Sequence, residues 1–185
     1  MASEIYLIRH GQSLFNAHFE ATGTDPWHID APLTELGHSQ AAAARDVVAA
    51  MPRPDLVLSS PLTRAIQTTM GIFGGTGVPV EVTCRHREHL GHSCDIGRSP
   101  KALTAEFPHL AFDHLTDPWW HVGPHDANGV PVEPEHVFTP RVTEFAAWLA
   151  AHEAPTIAVI GHGTFFRALT GRGFANCEVV RWSPG

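Results

Sequence analysis

Positive charge is scarce in this chain. Twelve Lys and Arg face nineteen Asp and Glu, for a formal net charge of -7, and Lys101 is the single lysine. No basic face can be assembled from that supply, which argues against nucleic acid as a partner. Any anion site must therefore be a local basic pocket in an acidic protein. Cysteine is also sparse and odd in number, at three, so no disulfide framework is expected and a reducing cytoplasm is the default. No apolar run approaches the roughly 18 residues of a membrane span, and the opening MASE lacks the features of a signal peptide. No G-x-S-x-G elbow is present, which disfavours a serine nucleophile. Internal repeats and boundary-like linkers are missing too. One domain over residues 1–185, large enough for a sizeable core, is the expectation.

What is present begins with residues 7–16 (LIRHGQSLFN). The apolar run from Ile5 to Ile8 reads as a buried strand, and it delivers Arg9 and His10 into a glycine turn. A guanidinium can donate a planar fork to phosphate oxygens. Backbone N–H groups from Gly11 onward would open a helix and attract an anion. A neutral His10 would carry a nucleophilic nitrogen at that anion's edge. The competing reading is a strand-end histidine that merely bonds a carbonyl, so the rest of the chain must decide.

The remaining pattern predicts helices over 12–21, 34–51 (N-cap Thr34, with Leu36, Ala43, Ala44, Val47, Val48 and Met51 on one face) and 99–107. A helix beginning at Ser59-Ser60-Pro61 follows a strand at 56–58, and another begins with Thr139 as N-cap and Pro140 at N1. Further strands are predicted at 78–84, 156–160 and 178–182, with a helix over 163–169. Residues 85–138, rich in His, Pro, Asp and Trp, read as an irregular insertion capping the substrate. Strands alternating with helices mean βαβ units and a mostly parallel sheet, whose ligands sit beyond the carboxyl ends of the strands. Four such ends supply Arg9 and His10, then Arg64, then Arg85, Arg87, Glu88 and His89, then His162 between Gly161 and Gly163.

Those residues, taken in order, resemble the histidine phosphatase superfamily, in particular its phosphoglycerate-mutase-like branch. The matching pieces are RHG at 9–11 with Asn16, Thr22-Gly23, DAPLTELGHSQ at 30–40, SSPLTRA at 59–65, REHL at 87–90 and GHG at 161–163. Cys94-Asp95, DPWW at 117–120 and Asn176-Cys177-Glu178 look like marks of a subgroup. The resemblance implies a three-layer α/β/α sandwich and a two-step phosphoryl transfer through a phosphohistidine. His10 would be the nucleophile and Glu88 the acid and base. Arg9, Arg64, Asn16 and a protonated His162 would clamp the phosphoryl oxygens. Gln12, Ser13, Thr22, Gly23 and Gly163 are candidate substrate contacts. Trp119 and Trp120 could roof the pocket, though a satellite core is the plainer reading.

Cys84, His86, His89, His92 and Cys94 lie within eleven positions, but their spacing matches no standard zinc knuckle, so no metal and no cofactor are expected. The expected activity is hydrolysis of a small soluble phosphate ester. A phosphomutase is the alternative, although the family's cofactor-dependent mutases carry a longer insertion after the third strand. A silent phospho-ligand-binding scaffold would require a lost nucleophile or acid, and His10 and Glu88 are both present. A homodimer is possible on this reading.

Overall fold

The computed structural model describes residues 4–183. Five strands form its sheet: β1 (Glu4–Arg9), β2 (Leu56–Ser59), β3 (Val80–Val82), β4 (Thr156–Gly161) and β5 (Val179–Trp182). Six helices accompany them: α1 (Leu14–Thr22), α2 (Glu35–Ala49), α3 (Thr63–Phe73), α4 (Pro100–Glu106), α5 (Glu135–Ala150) and α6 (Gly163–Thr170). The sheet order is β3-β2-β4-β1-β5, parallel throughout except for β5, which runs antiparallel to β1. No helix among the described residues is long and apolar enough to cross a membrane.

Side chains alternate across a strand, and here both faces are apolar. Ile5, Leu7, Leu58, Ile157 and Val159 pack with Phe145 and Leu149 of α5 and Phe165 and Phe166 of α6. Ile8, Val57, Ala158 and Ile160 point the other way, toward Ala41 and Ala44 of α2 and Ala65, Ile72 and Phe73 of α3. The result is the expected three-layer α/β/α sandwich. Fully burying each of these large side chains contributes about 1.5–3 kcal/mol.

Several local expectations are corrected. Helix α2 buries Gly37, Ala41 and Ala44, while Leu36 and Val47 are each 53% exposed. Close approach of backbones, not side-chain bulk, sets that interface. A Cβ on Gly71 of α3 would lie 2.8 Å from the Ala41 Cβ, and one on Gly37 would lie 2.1 Å from the Gln12 carbonyl oxygen. Helix α3 starts at Thr63, not at Ser59-Ser60-Pro61, because its cap comes from far away in the chain. The Asp30 carboxylate accepts from the Thr63 N–H (2.7 Å) and from the Thr63 hydroxyl. Strand β3 keeps only Val80–Val82, and Cys84–His86 turn instead into a 3₁₀ helix.

Helix α5 begins at Glu135, so the irregular stretch stops short of 138 and Pro140 lies inside the helix. The carbonyl that Pro140 cannot bond belongs to His136 on the exposed face, where water can satisfy it. Trp119 joins Leu62, Ile66, Leu103 and Phe112 in a separate core beside α4, with Trp120 packed against it, so neither tryptophan roofs the pocket.

Candidate active site

Parallel pairing of β1 with β4 puts Arg9 opposite Gly161, and the His10 N–H bonds the Gly161 carbonyl at 2.9 Å. Two histidines 152 positions apart thereby become neighbours, with ring centroids 5.2 Å from each other. A cleft of about 290 Å³ opens over this end of the sheet. Arg9, His10 and Arg64 form its floor. Glu88, His89, His92 and Asp95 line one side, and Phe15, Asn16, Gly163, Arg167 and Phe174 complete the walls.

His10 is 3% exposed, and its Nδ1 lies 2.7 Å from the Gly11 carbonyl oxygen. A carbonyl only accepts, so Nδ1 carries the proton and Nε2 keeps its lone pair. Arg64 Nε donates to that Nε2 at 3.2 Å. Burial, then Arg64 and Arg9, hold His10 well below its ordinary value, so the ring is neutral. The Arg64 guanidinium is fixed in turn by the Cys94 carbonyl (2.7 Å) and the Asp95 carboxylate (2.8 Å). Arg9 donates through Nη1 to the Phe174 carbonyl at 2.7 Å, and its buried Nε has no partner among the described residues. A Cβ on Gly163 would sit 3.2 Å from that Nε, so glycine leaves the space Arg9 occupies.

Glu88 lies at the N-terminus of α6, where its carboxylate accepts from the Thr164 N–H (3.0 Å) and the Phe165 N–H (2.8 Å). Those donors and Arg64 favour the anion, but burial and then the nearby Asp95 act against it and raise Glu88 above the usual carboxylate value. A carboxyl so placed is suited to hold a proton for a leaving group.

Two expectations about the anion cradle do not hold, and His162 rests in another state than the one the clamp calls for. The N–H groups after His10 are occupied by side chains: Gly11 by Thr68 Oγ1 (3.0 Å), Gln12 by Gln40 Oε1 (2.8 Å) and Ser13 by Asn16 Oδ1 (3.1 Å). They make a rigid turn, and the cations are left to meet an anion. His162 is neutral in this surrounding, since burial, then Arg64 and His10, depress it strongly. It stands beside His10, outside the cleft wall, with Nε2 2.7 Å from Ser60 Oγ. Thr22 and Gly23 end α1 away from the cleft, where Gly23 adopts φ 69° as a left-handed cap and Thr22 bonds the His18 carbonyl. Gln12 also lies off the cleft, accepting from Thr34 Oγ1 at 2.9 Å. Ser13, Asn16 and Gly163 do line it, the first two joined as a capping box.

The cysteine–histidine stretch is dispersed. His86 is fully buried, its Nε2 donates to the Ile160 carbonyl, and burial lowers it to about 4. His89 Nε2 bonds the Glu133 carbonyl at 2.7 Å, and His92 lies against the rings of Phe15 and Phe19. Among the described residues no three His, Cys, Asp or Glu are arranged to hold a metal ion. Two roles were not identified from the residues alone, although Asn176 belongs to the piece at 176–178 noted above. Thr68 anchors the loop after His10, and Asn176 Nδ2 donates to the His10 carbonyl at 2.9 Å. Neither has a local signal, because both act across more than fifty positions of sequence.

The sequence profile described as histidine phosphatase superfamily (branch 1) matches residues 5–181. A glucosyl-3-phosphoglycerate phosphatase of Mycolicibacterium vanbaalenii is 31% identical over 170 residues, covering 90% of this chain and 72% of that protein. Phosphoglycerate mutase-like protein 1 of Arabidopsis thaliana is 29% identical, covering 87% and 68%. A solved structure of mycobacterial glucosyl-3-phosphoglycerate phosphatase in complex with VO3 superposes with a TM-score of 0.63 at 25% identity, over 98% of this chain and 91% of that one. A profile matched almost end to end, on a fold that brings RHG and GHG side by side, shows that this chain belongs to the histidine phosphatase superfamily, branch 1.

Proposed function

We propose that this protein hydrolyses a small, soluble phosphate monoester through a phosphohistidine on His10. The observation that carries the reading is the tautomer of His10: the Gly11 carbonyl fixes the proton on Nδ1 and leaves the Nε2 pair on the cleft floor beside two guanidinium groups. Uncatalysed monoester hydrolysis is among the slowest of reactions, so charge and positioning must supply most of the acceleration. Arg9 and Arg64 meet the phosphoryl oxygens, with the Asn16 amide at the wall. The incoming dianion counteracts the desolvation that depresses His162 and draws a proton onto its ring.

In the first step Nε2 attacks phosphorus, the bond to the ester oxygen breaks, and Glu88 gives its proton to the departing alkoxide. In the second step the Glu88 carboxylate takes a proton from water as that water attacks phosphorus. The P–N bond breaks and its electron pair returns to Nε2. Each oxyanion donor is typically worth 10²–10³ in rate. Arg9 and Arg64 supply positive charge that a metal ion supplies in other phosphoryl-transfer enzymes, so the scheme includes no metal.

Glucosyl-3-phosphoglycerate, named for the bacterial relatives, heads the substrates to test, followed by other phosphorylated metabolites with released phosphate as readout. Rapid quench into alkali should trap an acid-labile phosphate on His10. Label on a serine, or none under conditions that preserve phosphohistidine, would refute the scheme. Return of the phosphoryl group to a second metabolite instead of water would identify a mutase.

A further inference from the structure

A buried carboxylate in a pocket built for an anion needs a reason, and Asp95 is such a group. It lines the same cleft as Arg9, His10 and Arg64 and is 6% exposed. Its two oxygens are both engaged: Oδ1 accepts from Arg64 Nη2 at 2.8 Å, and Oδ2 from the N–H groups of Gly91 (3.2 Å) and His92 (3.0 Å). The turn that carries it, Ser93–Asp95, is tied down by Asp25, which accepts from the Ser93 N–H and hydroxyl. Its backbone also contributes, since the Cys94 carbonyl takes Arg64 Nη1. One tethered turn thus claims both terminal nitrogens of Arg64 and leaves Nε pointing to His10 Nε2.

We propose that Asp95 is a positioning residue of the phosphoryl-transfer site, holding the Arg64 guanidinium against the nucleophilic nitrogen of His10 from within the cleft that Glu88 also lines. The inference rests on the reading above. Two carboxyl groups in one site cannot both ionise freely, and their surroundings decide which keeps the proton. Asp95 accepts four hydrogen bonds, one from a cation and one from the Cys94 thiol. Glu88 receives backbone N–H groups from α6 and from His89, and faces Arg64 of α3 and Arg9 of β1. The 93–95 turn sets Asp95 and the thiol of Cys94 against it. Asp95 is the one anion in that set, and after burial its charge raises Glu88 further.

The test uses Asp95→Asn in single-turnover measurements across pH, with an alkyl phosphate and with p-nitrophenyl phosphate. The alkyl ester needs the Glu88 proton, so its rate falls as pH rises through the Glu88 transition. In the variant that fall should move to lower pH, whereas the nitrophenyl ester, whose leaving group needs little help, should show no such move. Both esters should also slow, by about tenfold or more, as Arg64 loses its anchor. The same substitution in an Arg64→Ala background should then cost less than about threefold. An unmoved alkyl limb, or full additivity with Arg64→Ala, would overturn the role of Asp95.

Nitrogen NMR of Arg64 in the unaltered protein covers a variant that does not fold: its Nε–H should exchange slowly with solvent, as a guanidinium held by Asp95 and aimed at His10 requires, and fast exchange would overturn the proposal. Absence of both turnover and phosphohistidine in the unaltered protein would instead refute the proposed function, leaving the Arg64 exchange rate to judge Asp95 by itself.

Discussion

The two sides of the cleft are built differently. Arg9, His10 and Arg64, with His162 behind them, hang from strand ends and the first turn of α3, above the core residues Ile8, Val57 and Ile160, and all of the four but Arg9 are 3% exposed or less. Glu88, His89, His92 and Asp95 sit on coil and 3₁₀ turns, held by polar ties to distant groups. Chief among these is Glu133, 1% exposed, which pairs with Arg87 (2.9 Å) and with Arg141 of α5 (2.6 Å). Arg141 also donates to the Arg87 carbonyl at 2.8 Å. The difference matches a division of labour. The phosphoryl group is common to every substrate and suits a frame set by the sheet, whereas the leaving group varies and suits a wall of loops.

That division can be broken most severely from the sheet side. His10→Ala should abolish turnover and phosphoenzyme in rapid quench, because no neighbouring group can replace Nε2. On the loop side, Glu88→Gln should slow phosphoryl transfer from alkyl esters by ~10²–10⁴ while transfer from p-nitrophenyl phosphate suffers much less, which burst kinetics would reveal. Equal losses for both esters would move the acid role to another loop residue. Glu133→Ala should act through stability, leaving the partly buried guanidinium groups of Arg87 and Arg141 without their carboxylate, at a cost below the ~3–5 kcal/mol of a fully buried pair in denaturant unfolding.

A subtler effect reports on burial beneath the site. His86 is lowered to about 4 from 6.5, so between those values the unfolded chain binds a proton that the folded chain does not. Stability present above 6.5 is therefore lost on acidification, by up to ~3 kcal/mol, and His86→Gln should flatten that slope. The smallest effects should come from Thr22→Ala and from EDTA, each changing turnover less than about twofold, since Thr22 lies off the cleft and no metal takes part in the scheme.

Much of the architecture was legible because it rests on local pattern. Apolar runs gave β1, β2 and β4, and Ser99 with Pro100 marked the start of α4. Failures cluster where distant groups override local signals: Asp30 capping α3 from thirty-three positions away, and a Gly–Ala stripe burying α2. The resting state of His162, before an anion arrives, lay beyond local signals for the same reason. An isolated imidazole titrates near neutrality, but here burial and the neighbouring Arg64 and His10 remove its proton.

The chain by itself therefore determined which chemical groups stand at the strand ends, since a strand's polarity and its closing residues are written locally. Only the tertiary structure decided their states and their partners. The tautomer of His10 depends on the Gly11 carbonyl and on Arg64, and the orientation of Arg64 depends on Asp95, thirty-one positions on. Protonation is set by burial and by charges a few ångströms away, and those distances exist only once the sheet has closed beneath the loops.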